Sequence, residues 1–194
     1  NEIGMFEMGS KGLIEVKNAS QYFLNEEDGR NPGTSVTASL EGTRPLLLEI
    51  QALVTESRYG TPQRNCVGFD IRRLSKIVAV LDKILGFNIS NSDIFLNVTG
   101  GVKLSDPGAD MSVAASLVSS FTNVALPVKS VFCGEIGLGG EIRAVSGVET
   151  RINECLKLGF EQIYLPKFNL VSSRKYPEQI IFVSNLSDII SMIV

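Results

Sequence analysis

The residues best placed to do chemistry lie where a predicted strand runs into a predicted helix, in segment 99–117, TGGVKLSDPGADMSVAASL. Asp106 and Pro107 open the helix, because an Asp side chain accepts bonds from free first-turn amides and Pro is tolerated at the first helical position. Such junctions hold nucleophiles or anions in many enzymes. The chemistry of this one depends on which side chains it presents.

Histidine is absent from the 194-residue chain. Its absence excludes Ser-His-Asp and Cys-His catalysis and argues against a zinc site. A Ser-Lys dyad remains open, because a buried lysine with a lowered pKa can act as the base. Ser105 and Ser112 are the candidate nucleophiles and Lys103 is the nearest lysine, but Lys103 and Ser105 are two residues apart in a loop. That spacing implies neither a buried amine nor a fixed geometry, so we assign no catalytic residue.

Composition describes an ordinary globular protein, with 44% hydrophobic residues, 20% charged residues and a net charge of -3. No apolar run approaches the ~20 residues of a membrane helix and no secretory signal is evident, so we expect a cytoplasmic protein without a membrane partner. Cys66, Cys133 and Cys155 are odd in number and far apart, which suggests neither a disulfide framework nor a metal cluster. Few aromatics and no Trp disfavour base-stacking platforms.

Periodicity predicts strand pairs first and strand-helix alternation second, in one α+β or α/β domain. A hairpin is expected from TSVTASLEG and RPLLLEIQALVTES, with the second strand covered on both faces. An amphipathic helix runs from the Asp70 cap to Gly86, with Ile71, Leu74, Ile77, Val78, Leu81 and Leu85 inward. The segment between them, SRYGTPQRNCVGFD, is expected to be irregular.

The second half of the chain follows the same alternation. Segment 92–98 is a strand, KSVFCGEIG another, and LGGEIRAVSG a short hairpin whose glycines form turns, because GLGGE lacks the ending of a P-loop. Segment 148–158 is a helix with Val148, Ile152, Cys155 and Leu156 inward. QIYLP and IIFV are short strands, and Asn185 caps a terminal helix.

Basic side chains concentrate before and within the first long helix. The cluster comprises Arg58, Arg64, Arg72, Arg73 and Lys76. Phosphate contact requires such groups on one side of a mildly acidic domain. The alternatives are a solvated helix face, or arginines paired with Glu49, Glu56 or Asp82.

Several separated runs resemble a known family. DIFLNVTGGVKLSDPGADMSVAASLVSS, VFCGEIGLGGEIRAVSGVETRINECLKLGF, RYGTPQRNCVGFDIRRLSKIVAVLDK and the ending IYLP are similar to the Lon-protease-like C-terminal domain of the RadA (Sms) family of bacterial DNA repair proteins. The resemblance implies the Lon proteolytic-domain fold, α+β and of the ribosomal protein S5 domain 2-like group. Residues 1–30 are then a connector from an N-terminal ATPase region that this fragment lacks, and residues 31–194 the Lon-like domain.

The same resemblance implies that the Lon dyad is degenerate. Active Lon proteases carry the nucleophile in Gly-Pro-Ser-Ala-Gly, which matches residues 106–110, so Gly108 stands at the serine position. Their lysine lies in Gly-Leu-Lys, which matches residues 147–149, so Glu149 stands at the base position. Loss of either side chain removes the chemistry, and we expect no Lon-type peptidase activity from this pseudoprotease.

By resemblance, the domain is a hexamer scaffold and a DNA-binding surface for processing branched recombination intermediates. Arg64, Asp70 and Arg73 match the family pattern most closely, with Asp70 as a helix cap and the arginines on phosphate or a neighbouring subunit. The full-length protein is expected to be a DNA-dependent ATPase that binds ATP, Mg and Zn in its N-terminal regions, with a RecA-type recombinase as a further candidate partner. A residual Ser-Lys peptidase and a protein-only oligomerisation module remain alternatives.

Overall fold

A hairpin of two long strands, β3 (Thr34–Glu41) and β4 (Arg44–Glu56), lies at the centre of the computed structural model. The structure describes residues 6–9, 12–15, 20, 23–24, 31–58 and 60–191. Leu40 pairs with Pro45 and Glu41 with Arg44, so the turn predicted from the sequence is confirmed. Only the first half of β4 is covered on both faces, because Leu53 and the outward residues after it are exposed.

The main sheet has the order β3-β4-β6-β5. Strand β6 (Ser92–Val98) pairs antiparallel with β4 over the span that the sequence predicts. Strand β5 (Arg64–Val67) lies in the segment predicted to be irregular and pairs parallel with β6. That prediction is wrong at these four residues, because pairing with β6 supplies the backbone bonds that a short polar sequence does not signal.

Helices α1 (Ile71–Leu85) and α2 (Asp110–Thr122) cover one face of this sheet. Asp70 accepts a hydrogen bond from the Arg73 amide at 2.8 Å, and Gly86 ends α1 with a φ of 70°, so both predicted boundaries are confirmed. Ile71 was expected inside and is exposed instead, whereas Val80 is buried. Helix α2 is buried on nearly all sides because its Ala and Ser residues let neighbouring elements approach closely.

A second, smaller layer follows α2. Strands β7 (Ser130–Phe132), β10 (Gln162–Pro166) and β11 (Ile180–Val183) form a parallel sheet of order β11-β10-β7. Helix α3 (Val148–Lys157) packs between this layer and β3, around a core that includes Val36, Leu47 and Ile152. The fold is therefore a mixed α/β arrangement with two cores.

The single strand predicted over KSVFCGEIG is wrong, because the chain leaves the sheet after β7, where the Gly134 amide donates to the Gly108 carbonyl at 2.7 Å. Strand β8 (Glu135–Ile136) follows and pairs with β9 (Ile142–Arg143) in a short hairpin, whose turn is the glycine-rich run. The hairpin therefore begins inside the predicted strand and not wholly within LGGEIRAVSG. Asn185 and Asp188 form a capping box at the start of α4 (Leu186–Ile190), which confirms Asn185 as the cap. Among the residues that the structure describes, no helix has the length and apolarity to cross a membrane.

The connector expected over residues 1–30 falls largely outside the described residues. Its described parts include a hairpin of β1 (Phe6–Gly9) and β2 (Gly12–Glu15). Ser20 and Phe23 are buried, and Ser20 Oγ accepts a 3.1 Å bond from the Leu47 amide. Phe23 lies so close to Gly100 that a Cβ there would be 2.5 Å from the ring.

Candidate nucleic-acid interface

An open groove of about 1080 Å³ lies between the start of α1 and the loop that leads to α2. One wall is β5, the turn before α1 and α1 itself as far as Lys76, and the other is the loop stretch from Gly101 to Ser105. The walls are joined by a 2.8 Å bond from the Leu104 amide to the Gly68 carbonyl. Gly68 has a φ of 78°, and a Cβ there would be 2.5 Å from the Val102 carbonyl oxygen, so only glycine permits this approach.

The groove is strongly basic. Its described lining carries one acidic side chain, Asp70, and five basic side chains: Arg64, Arg72, Arg73, Lys76 and Lys103. The domain as a whole has a net charge of -3, so positive charge is concentrated here. Fields of this sign attract phosphate groups and raise association rates with polyanions.

Four members of the predicted basic cluster line this one groove, and they are not equivalent. Arg72 and Lys76 are exposed on α1 and make no ion pair with any residue that the structure describes. Arg64 is half-buried and its Nη2 donates to the Ser90 carbonyl at 3.0 Å. Arg58 is exposed on the loop after β4 and does not belong to the described lining.

Arg73 is held by the protein itself. Its Nε lies 2.5 Å from Asp110 Oδ1, and its Nη2 donates to the Asp106 carbonyl at 2.6 Å. Its guanidinium also lies over the Phe69 ring, 4.7 Å from the centroid. Burial raises the pKa of Asp110 above its ordinary value, and Arg73 opposes that rise. Arg73 therefore links α1 to the start of α2, and its positive charge is paired with the Asp110 carboxylate.

Lys103 is a basic residue of the groove that the predicted basic cluster did not include. It is exposed on the opposite wall from Arg72 and Lys76, and like them makes no ion pair within the described part of the chain. Its position in the junction loop was the available signal, because that loop was expected to face a ligand. The groove thus presents exposed cations from both walls.

The junction itself is closed around a buried ion pair. Asp106 Oδ1 accepts from the Gly108 amide at 2.8 Å, and Oδ2 accepts from the Leu40 amide at 3.0 Å. Arg151 Nη1 lies 2.6 Å from Asp106 Oδ2 and also donates to the Ala38 carbonyl. Burial would raise the pKa of Asp106, but Arg151 and the two amides outweigh it and hold that pKa below its ordinary value.

Arg151 fills the space beside Gly108. A Cβ on Gly108 would be 3.2 Å from Arg151 Nη1 and 3.1 Å from Asp106 Oδ1. Arg151 is completely buried and its Nε donates to the Ser146 carbonyl at 2.9 Å. The sequence analysis did not place Arg151 inside, although it shares the inward face of α3 with Ile152 and Cys155.

Glu149 points elsewhere. It is exposed, forms an ion pair with Arg174, and lines a shallow cavity of about 410 Å³ with Asn169 and Tyr176. Of the candidate nucleophiles, Ser112 Oγ is buried against Ser35 Oγ at 2.8 Å, whereas Ser105 and Lys103 are both exposed. A lysine base requires a buried amine, and the exposed position of Lys103 does not provide one.

A model of the family described as Subunit ChlI of Mg-chelatase matches residues 56–169, a span that includes the groove, the junction and α3. The match covers more than half of the chain, which therefore belongs to this family. Among curated proteins, the chain is 50% identical over 166 residues to the DNA repair protein RadA of Rickettsia typhi, covering 86% of this chain and 37% of that protein.

Two further DNA repair proteins RadA are similar. That of Streptococcus pneumoniae is 44% identical over 194 residues, covering 100% of this chain and 46% of the relative. That of Bacillus subtilis is 46% identical over 170 residues, covering 88% of this chain and 37% of the relative. The chain thus spans less than half the length of the curated relatives that it matches.

Proposed function

We propose that this chain is a non-catalytic, Lon-like domain of a RadA-type DNA repair ATPase, and that it binds DNA through the groove between α1 and the junction loop. The observation that carries the proposal is the set of three exposed cations, Arg72, Lys76 and Lys103, which face one groove from two walls without ion pairs among the described residues. The phosphates of a DNA backbone would supply the negative charge that pairs with these three cations.

Arg64 and Arg73 have different parts in this proposal. Arg73 is a positioning residue, because its bonds to Asp110 and the Asp106 carbonyl fix the start of α1 against the junction. Arg64 is anchored to Ser90 and adds charge to the floor of the groove. Arg58 lies outside the described lining and would add only long-range attraction.

The Lon-like fold is part of the same proposal. The predicted helix start at Asp106 and Pro107 is a 3₁₀ turn (Pro107–Ala109) that Asp106 caps and that leads into α2. Such a strand-loop-helix junction is what a Lon nucleophile would require, but Gly108 offers no side chain and Arg151 occupies the adjacent space. We propose that the dyad has been replaced by a structural ion pair. For the whole protein we propose, from the family resemblance, hexamer assembly, DNA-dependent ATP hydrolysis, action on branched DNA and contact with a RecA-type recombinase. ATP, Mg and Zn would be bound in its N-terminal regions.

A charge-reversal experiment tests DNA binding. The triple variant Arg72→Glu, Lys76→Glu, Lys103→Glu should lose at least about tenfold in duplex affinity at low salt, because three phosphate contacts are lost. A control triple, Lys157→Glu, Lys167→Glu, Lys175→Glu, reverses three exposed cations elsewhere and has the same net charge. Fluorescence anisotropy with a labelled duplex measures both.

Equal loss in the two triples would mean that only net charge matters, and would overturn the groove as the site. Unchanged affinity in the groove triple would have the same consequence. The protein-only alternative predicts that none of the variants or the wild type binds DNA, while sedimentation still detects assembly of the wild type. Circular dichroism confirms that each variant is folded before its affinity is compared.

A further inference from the structure

The outer face of the main sheet is uncovered at its β5 end. Leu53, Val67 and Phe95 alternate outward from β4, β5 and β6, with exposures of 56%, 49% and 39%. The register places them together, because Phe95 pairs with Leu53 on one side and with Asn65 on the other, and Val67 follows two residues after Asn65 on the same face of β5. Phe95 is therefore at the centre of an exposed apolar surface.

The polar side chains that line the depression are amides. Two buried carboxylates on the same face, Glu49 and Asp93, lie outside this lining, and Glu49 Oε1 accepts a 2.8 Å bond from Gln51 Nε2. Gln51, Asn65 and Asn97 surround Phe95, and Asn97 Nδ2 lies 3.5 Å from Gln51 Oε1. The face forms a shallow depression of about 410 Å³, and no charged residue occurs in its described lining. A solvated face of this protein would carry charges, since one fifth of all residues are charged. This surface instead has the chemistry of a nucleobase site, where a ring stacks and amides meet base edges.

The uncharged face is continuous with the basic groove. Asn65 lines both the depression and the groove, and its neighbour Arg64 lines the groove. A strand whose phosphates lie on the cations of the groove would therefore have its bases within reach of the sheet. The few aromatics of the chain rule out a row of stacking rings, but a single ring beside a phosphate track is enough for one base.

We propose that the face formed by Gln51, Leu53, Asn65, Val67, Phe95 and Asn97 binds unpaired bases of a single-stranded nucleic acid, with Phe95 as the stacking side chain. The proposal rests on the proposed function, because the groove supplies the phosphate contacts. It adds a preference: the groove accepts any phosphate backbone, whereas the sheet face accepts only bases that are free of a duplex.

A tryptophan reporter tests stacking directly. The chain contains no Trp, so Phe95→Trp places the sole indole on the proposed surface. An oligo(dT) of roughly 15 nucleotides, near the upper end of site sizes for such surfaces, should quench its emission. The matched control Phe168→Trp puts an indole on another exposed aromatic position, 73% exposed and outside the described lining of both surfaces, and its emission should not change.

The affinity test uses Phe95→Ala. Its affinity for oligo(dT) should fall by about 5- to 100-fold, the loss of one stacked base, while duplex affinity stays at the wild-type value. Equal losses for single strand and duplex, or no quenching of Phe95→Trp by a bound oligo(dT), would overturn the proposal. So would an emission shift of Phe95→Trp that depends on protein concentration without DNA, because that would make the face a contact between copies.

The two proposals fail in different ways. If the wild type binds neither duplex nor single strand, the groove assignment fails and this inference fails with it. If the groove triple loses duplex binding as expected but Phe95→Ala keeps its full affinity for oligo(dT), only the base-binding face is wrong.

Discussion

Arginine is used in opposite ways at the junction and in the groove. Arg151 is completely buried, and it is paired with Asp106 and bonded to two carbonyls. Arg72, on the exposed start of α1, has no ion pair in the described structure. A buried guanidinium cannot reach a ligand and must be matched internally, whereas an exposed one keeps its water and can exchange it for phosphate. Burial and pairing, rather than residue type, separate the structural arginines from the candidate ligands.

Arg73 lies between these two extremes. It lines the groove, but its guanidinium is bonded to Asp110 and to the Asp106 carbonyl. It therefore connects the groove to the junction, so that the cations on α1 are held in a fixed place relative to Lys103. The comparison implies that junction variants lose stability before they lose affinity, and that groove variants do the opposite.

The largest effect is expected for Arg151→Met. The change leaves Asp106 buried beside Gly108 without its cation, which typically costs about 3–5 kcal/mol of unfolding free energy. Urea denaturation measures the loss. Arg174→Met breaks the exposed pair with Glu149 and is the control, with an expected cost below about 1 kcal/mol. Similar losses in the two variants would remove the distinction between the buried and exposed arginines.

Acid titration of the same variant sharpens the assignment. The wild-type pKa of Asp106 is lower in the folded state, so its contribution to stability is present above the ordinary Asp pKa and is lost as pH falls through the lowered folded value. Removing Arg151 removes the cation that lowers this pKa, so the pKa of Asp106 rises from its wild-type value. Arg151→Met should therefore lose less stability than the wild type between neutral and acid pH. A loss equal to that of the wild type would contradict the Asp106–Arg151 coupling.

A smaller effect is expected for Gly108→Ser, which restores the hydroxyl at the proposed nucleophile position. The new Cβ would lie 3.1–3.3 Å from Asp106, Arg151 and Val145, so neighbours must shift slightly. We expect a cost of about 1 kcal/mol and no hydrolysis of fluorescent casein, alone or with Glu149→Lys. Casein cleavage by the double variant would show that Arg151 does not block the dyad.

The smallest effect concerns Asp70, which both caps α1 and carries the acidic charge of the groove. Asp70→Asn keeps a good cap and removes the charge, so stability should be unchanged while duplex affinity rises a few-fold. Asp70→Ala should give the same rise in affinity and lose about 1 kcal/mol of stability. An Asp70→Asn variant without tighter binding would argue that phosphates do not approach this end of the groove.

The sequence predicts a structural feature well where residues of a single element determine it. Asp70 and Gly86 bound α1 as predicted, and Asn185 caps α4, because caps depend on residues within one turn. Strand β5 was missed because its four residues gain order only from pairing with β6. Ile71 is exposed although it falls on the predicted face, since the first turn of α1 borders the open groove and Ile71 belongs to its described lining.

The positive charge of the site could be predicted from the sequence, but the separate roles of its basic residues could not. Proximity in sequence indicated that basic residues gather around the start of α1, and four of the five line one groove. Their roles differ because of contacts with distant segments: Arg73 pairs with Asp110, and Arg64 donates to the Ser90 carbonyl. Lys103 joins the same groove from a different segment of the chain. Such long-range partners, like Asp106 for Arg151, depend on tertiary packing that no local pattern encodes.

The salt dependence of duplex binding tests the central claim most directly. Plotting log Kd against log salt concentration for the wild type, the groove triple and the control triple counts phosphate contacts, at about 0.9 per contact for duplex DNA. We expect the slope of the groove triple to fall by about 2–3, while its unfolding free energy and the slope of the control triple stay at wild-type values. Equal slopes for the groove triple and the wild type would contradict the central claim.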